Sequence, residues 1–149
     1  MFLKDVEVFQ NIEIKKNNYM LSFKDKELAE KIKMGQFLEL KVGDGVDNLL
    51  RKPISINDVI DDKIVLLYRV VGKGTTALSK YKVGDKINVL GPLGNNFPEI
   101  EQDKELLIVA GGIGCGPFSL VMRKVKNWKL FYGCKDKCEI ILEDAINTY

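Results

Sequence analysis

From Val6 to Leu90 the apolar residues come in short alternating runs broken by turn residues, and that spacing leaves few folds open. Val6, Val8, Ile12 and Ile14 form one run and Met20, Leu21 and Phe23 a second, with Asn17-Asn18 between them, which reads as a β-hairpin. Asp25 to Lys33 puts Leu28, Ala29 and Ile32 on one side of a short amphipathic helix, stopped by Gly35-Gln36. Phe37 to Val42 resumes strand alternation, Gly43-Asp44-Gly45 turns the chain, and Leu49 to Ile56 carries the next strand. Turns are expected at Asn57-Asp58 and Asp61-Asp62, followed by a long strand over 63–71. Tyr81 to Asp85 reads as a turn, Lys86 to Leu90 as a strand and Gly91 to Phe97 as a loop. Six short strands at regular spacing predict a small antiparallel barrel that closes near Pro98.

The pattern changes at the charged connector Glu101-Gln102-Asp103-Lys104-Glu105. Leu106 to Ala110 is a continuous apolar run, as expected of a strand buried on both faces of a parallel sheet. Gly111 to Pro117 is a glycine turn whose proline suits the start of a helix, Phe118 to Lys126 is that helix, and Lys129 to Tyr132 is a second strand. This is the beginning of a βαβ unit. The expected organisation is a barrel over 1–100 and an incomplete nucleotide-binding α/β domain over 101–149, because such sheets usually hold about five or six strands.

Composition narrows the chemistry. Apolar residues make up 46% and charged residues 30%, and a net charge of +2 with interspersed signs gives no nucleic-acid or membrane footprint. There is no histidine, which removes imidazole acid–base catalysis, Ser-His-Asp triads and histidine-ligated metals together. Chemistry then has to come from a bound cofactor, from cysteine or from carboxylates. Met1 to Glu7 is interrupted by charge, so no signal peptide is expected, and the uncharged stretch Leu106 to Pro117 is too short to span a bilayer. Three cysteines without an export signal point to reduced thiols in the cytoplasm.

Leu66 to Leu78 reads as a strand, a tight Gly-Lys-Gly turn and the start of a short helix. Unpaired N–H groups at a helix start favour an anion, the glycines allow its close approach, Lys73 adds charge, and Thr75 or Thr76 can cap the helix or bind an oxygen. A plain strand–helix turn with a hydroxyl cap reads the same residues. Arg51-Lys52-Pro53-Ile54-Ser55 sets two cations before a strand and a hydroxyl within it; they suit phosphates and a ring system, and equally a solvated basic turn. Tyr68 and Arg69 point to opposite faces of their strand, the arginine suited to a phosphate and the tyrosine to a flat ligand, or else to surface and core. Gly112-Ile113-Gly114 resembles the first part of a dinucleotide fingerprint, but Pro117 stands where its last glycine belongs. Cys134 and Cys138, with only Cys115 elsewhere, make no four-ligand zinc or iron–sulfur set.

In their order these stretches resemble the ferredoxin–NADP reductase superfamily, and within it the electron-transfer subunits of dihydroorotate dehydrogenase. The matching residues are Gly35-Gln36-Phe37, Leu50 to Ile56, Tyr68 to Thr75, Gly91 to Phe97 and Ala110 to Gly114. The resemblance implies a six-stranded antiparallel Greek-key flavin-binding barrel followed by a partial parallel βαβ domain, with FAD as the flavin and NAD(P)H as its electron donor or acceptor. It implies that Arg51, Lys52, Pro53, Ile54 and Ser55 meet the flavin and its phosphate, Lys52 taking a slot that usually holds arginine. Tyr68, Arg69 and Val70 would line the flavin, Gly74, Thr75 and Thr76 would hold its pyrophosphate, and Gly112 and Gly114 would lie near the nicotinamide. The implied partner is a catalytic redox subunit of the dihydroorotate dehydrogenase kind in a hetero-oligomer. The four-cysteine [2Fe–2S] segment usual in such subunits has no counterpart in this sequence. The small subunit of an NADPH–ferredoxin oxidoreductase or sulfide dehydrogenase, and a non-catalytic docking barrel, are the alternatives.

Overall fold

The computed structural model describes residues 1–43, 49–101 and 103–142. Gly45 and most of the turn expected at Gly43-Asp44-Gly45 lie outside the described residues, as do Gln102 of the charged connector and the side chain of Cys138. Among the described residues there are eight strands: β1 (Phe2–Lys15), β2 (Asn18–Lys24), β3 (Phe37–Lys41), β4 (Lys52–Ile60), β5 (Lys63–Arg69), β6 (Lys86–Leu93), β7 (Leu106–Gly111) and β8 (Trp128–Gly133). Short α-helices join them, among them α1 (Lys26–Ala29), α2 (Lys73–Leu78) and α3 (Ser119–Lys124).

β1 to β6 close into a barrel in the order β1-β2-β5-β4-β3-β6, antiparallel at every pair. The meander β3-β4-β5 returns to lie beside β2, which is the Greek-key arrangement. Closure removes the free edges that six short strands would otherwise expose. The hairpin turns on Asn17, whose φ of 62° lies in the left-handed region that asparagine tolerates, and the side chain of Glu13 accepts from its N–H. Asp25 caps α1 by accepting from the Leu28 N–H at 2.8 Å, and Lys4 in turn pairs with Asp25. Alternation sends Val6, Leu21, Phe23, Leu38, Leu40, Ile56, Ile64, Leu66, Tyr68, Ile87 and Val89 into one core inside the barrel.

β7 and β8 pair in parallel, with α3 and a 3-10 segment over Gly112–Phe118 between them in the chain. Ile108, Ala110, Cys115, Val121, Met122, Val125, Ile141 and Leu142 make a second core. Met20, Val65 and Leu67 on the outer barrel face meet Ile113 and so join this α/β unit to the barrel.

Four expectations need correction. Asn57 and Asp58 do not turn the chain: they lie within β4, 0% and 2% exposed, at a shift of register against β5. β6 does not end at Leu90 but runs on to Leu93 through a cis Gly91–Pro92 bond, paired with β3. The glycine turn before α3 is wound into the 3-10 segment, so the helix starts at Ser119 and ends at Lys124. β7 is buried on one face only, since Leu107 and Val109 are 60% and 77% exposed. Among the described residues the α/β unit packs helix on one side of a two-stranded sheet, so the apolar side chains that point to the other side stay exposed.

Candidate functional site

β4 and β5 present their outer faces side by side, and the 3-10 segment stands across from them. Between these walls lies a cleft of about 460 Å³, within the size range of small-molecule sites, roughly 300–1,000 Å³. Pro53, Ile54 and Ser55 from β4, Leu67, Tyr68 and Arg69 from β5, and Val71 and Thr75 from the turn into α2 form the barrel wall. Ile113, Gly114, Gly116 and Pro117 form the other. The walls are chiefly apolar, with Arg69 the charged residue among them.

Lys52 extends along β4 toward α2 and lies against Gly74: a Cβ at that glycine would come within 2.0 Å of Lys52 Cε and 3.1 Å of Nζ. The missing side chain thus makes room for the ammonium group beside the glycine turn. Thr75 is committed to that turn, its Oγ1 accepting from the N–H groups of Val71 and Gly72 and donating to the Gly72 carbonyl. Gly72 occupies the capping position without a side chain, and the hydroxyl three residues on takes over that task. Thr76 is exposed on another side of α2, near Lys73 and Lys80.

Other residues singled out in the sequence take different places. Arg51 turns away from the cleft, donating to the carbonyls of Glu39 and Asn88 and to the Asn88 side chain, and so straps β3 to β6. The Tyr68 ring is 2% exposed, stacked on Tyr19 with centroids 5.4 Å apart, and its hydroxyl donates to Asn11 at 2.9 Å. Burial pushes that hydroxyl's pKa well above the usual tyrosine value. Tyr68 therefore helps fix β5 from inside the barrel, with its neighbour Arg69 on the cleft side. The Val70 N–H bonds the Asn17 carbonyl. Gly114 borders the cleft, whereas Gly112, at φ 48°, gives its carbonyl to the Tyr132 hydroxyl.

Arg69 meets a partner that no motif announces. Its Nη2 donates to Glu139 Oε1 at 2.6 Å, bringing the segment after β8 onto the barrel. The Glu139 backbone carbonyl accepts from Tyr132, which also accepts from Cys115 Sγ at 3.7 Å. Cys115 is buried and its thiol is pushed up by that burial, so it is an inert core group. Among the described residues no group of three or more His, Cys, Asp or Glu could hold a metal. Among the described residues no helix is long and apolar enough to cross a membrane.

Arg69 holds the Glu139 carboxyl below its usual range, chiefly through their hydrogen bond. A carboxyl depressed in the folded state contributes stability above its unfolded value, about 4.3, and loses it as pH falls through the folded one. Glu139→Gln should therefore lower the melting temperature at neutral pH, and the gap to the wild type should shrink on acidification. Parallel melting curves over that range test this, and a gap that stays constant would exclude the pair as its source.

No protein-family model matches the chain. Among curated proteins it is 36% identical over 145 residues to the dihydroorotate dehydrogenase B (NAD(+)), electron transfer subunit, of Desulforamulus reducens, covering 93% of this chain and 55% of that protein. The subunit of the same name from Clostridium acetobutylicum is 42% identical over 121 residues, covering 81% of this chain and 48% of the relative. That from Fusobacterium nucleatum is 31% identical over 157 residues, covering 100% and 61%. The chain thus spans from about half to three fifths of the length of these relatives. Among solved structures, an NADH-dependent reduced ferredoxin-NADP oxidoreductase superposes with a TM-score of 0.79 at 26% identity, over 92% of this chain and 51% of that one. The ferredoxin reductase in carbazole 1,9a-dioxygenase gives 0.82 at 19% identity, over 99% and 47%, and shows likeness of fold alone.

Proposed function

This chain is a homologue of the dihydroorotate dehydrogenase B electron transfer subunits with a ferredoxin reductase-like fold, and on that basis we propose that it binds FAD in the cleft and passes electrons between NAD(P)H and a partner redox subunit. The observation that carries the reading is the cleft itself, an apolar slot between β4, β5 and the glycine segment, with Lys52 laid against Gly74 one residue away in the chain from Pro53 and Thr75 of its lining. Such a slot fits a flat ring, and a cation beside a bare glycine fits the anionic tail of the same molecule. Arg51 is spent on the barrel, so phosphate neutralisation falls to Lys52.

Flavin, when bound, supplies the hydride and single-electron chemistry, which suits a sequence without histidine. The chain's own residues orient and shield it. Ile54 and Leu67 exclude water from one wall, while Ile113 and Pro117 do so from the other. The Ser55 hydroxyl stands on the β4 wall as a donor for negative charge that develops on the ring. Gly114 leaves its part of the wall open to a nicotinamide, since no atom lies within 4 Å of where its Cβ would be.

The partner of this reading is a dihydroorotate-oxidising subunit, in a hetero-oligomer working in the cytoplasm, where the buried thiol of Cys115 stays reduced. The likeness to a ferredoxin-NADP oxidoreductase at 26% identity favours one further reading, a small subunit that serves ferredoxin instead. Purification of the chain, a visible absorbance spectrum and chromatography of the released flavin test the proposal. FAD in the released fraction is the expected result; a colourless protein that also takes up no added FAD would overturn it. Co-expression with a dihydroorotate-oxidising subunit separates the two partners by which complex survives gel filtration.

A further inference from the structure

β4 carries two neighbouring polar side chains to the same side of the sheet. Its register against β5 shifts between Ile56 and Asp58, and an extra residue of this kind re-aims side chains that would otherwise alternate. Asn57 is 0% exposed, and its Nδ2 donates to the Gly116 carbonyl at 2.6 Å and to Ser119 Oγ at 2.8 Å. Asp58, 2% exposed, pairs with Arg123, whose guanidinium also donates to the Val59 carbonyl at 3.0 Å. Both therefore face the α/β unit. Buried polar groups are costly unless each finds its partner, and apolar residues would serve for packing alone. What these bonds add is a fixed distance. Gly116 belongs to the far wall of the cleft, while Pro53, Ile54 and Ser55 on the near wall lie just before Asn57 on the same strand.

We infer that Asn57 is a positioning residue that sets the width of the cleft, holding the glycine segment at a fixed height over β4, with the Asp58–Arg123 pair as its brace. The inference rests on the flavin reading of the cleft. Asn57 acts through Gly116 and does not itself line the cleft. A wider cleft would still hold the flavin by its phosphates, and would admit solvent and small solutes to the ring.

The test uses the chain reconstituted with FAD. Asn57→Leu keeps most of the volume and removes both hydrogen bonds; Arg123→Gln loosens the brace from its half-exposed end while keeping an amide that can still donate to the buried Asp58 carboxylate. In Asn57→Leu the bound flavin should be reduced by dithionite at least roughly fivefold faster than in the wild type, the change in population that loss of even one of the two hydrogen bonds allows. FAD affinity should change much less, and Arg123→Gln should accelerate reduction to a smaller degree. Hydrogen exchange should rise over 112–118 and stay unchanged in the barrel strands. A wild-type rate of dithionite reduction in Asn57→Leu at full FAD occupancy overturns the inference while leaving the flavin reading intact; if that variant fails to fold, the same rate in Arg123→Gln overturns it. A wild type that takes up no FAD removes the flavin reading and the inference with it.

Discussion

Replacing Gly74 by alanine is expected to weaken FAD binding by roughly one to two orders of magnitude without loss of fold stability. The new Cβ would sit 2.0 Å from Lys52 Cε and 2.9 Å from Cδ, so the lysine must leave its present path. That movement is cheap, because the atoms displaced belong to the far end of a flexible side chain. Alanine is also the better helix former, so the exchange in α2 does not itself weaken the fold. The cost falls on the ligand, since a charge-assisted hydrogen bond to phosphate contributes about 1.5–3 kcal/mol. Calorimetric titration with FAD beside a melting curve separates the two effects. Equal affinity in wild type and variant would mean that Lys52 holds no phosphate.

Leu66→Ala should strongly destabilise the barrel. Leu66 is 0% exposed on the inner face of β5 and pairs in register with Leu21 of β2 and Ile56 of β4. Removing its side chain loses the transfer energy and leaves a cavity, together about 2–5 kcal/mol. For a chain of this length that lowers the melting temperature by roughly 5–15 °C. Leu67, the next residue, faces outward and packs with Met20, Val65 and Ile113 at the junction with the α/β unit. Leu67→Ala should therefore loosen that junction and the cleft beside it more than the barrel. Melting followed by far-ultraviolet dichroism, with limited proteolysis of the α/β unit, distinguishes the variants; equal losses in both readouts would contradict the division of faces.

The barrel was legible because half-buried antiparallel strands write their faces into the sequence at every second residue, as in Asp5-Val6-Glu7-Val8. The cleft was legible in part. Lys52 to Ser55 and Tyr68 to Thr75 carry the matching motifs, and the fold brings them together along β4, β5 and α2. What the sequence hides is direction. Asn57-Asp58 has the composition of a turn, but its side chains find buried partners more than 50 residues away, and only the fold supplies those. Arg51 stands beside Lys52 yet turns away from the cleft, because its guanidinium is taken up by the carbonyls of Glu39 and Asn88, acceptors that only the fold brings near. Glu139 reaches Arg69 from a segment without any periodic pattern. Leu107 and Val109 were expected to be buried because a run without alternation implies two covered faces, a neighbourhood that sequence implies but does not contain.

The measurement that bears most directly on the account is hydrogen exchange of the chain with and without FAD. Protection is expected over 52–55, 69–76 and 112–117, with no change across the exposed face that carries Leu107, Val109 and Phe131. Protection confined to other segments, or none at saturating FAD, would contradict the assignment of the cleft.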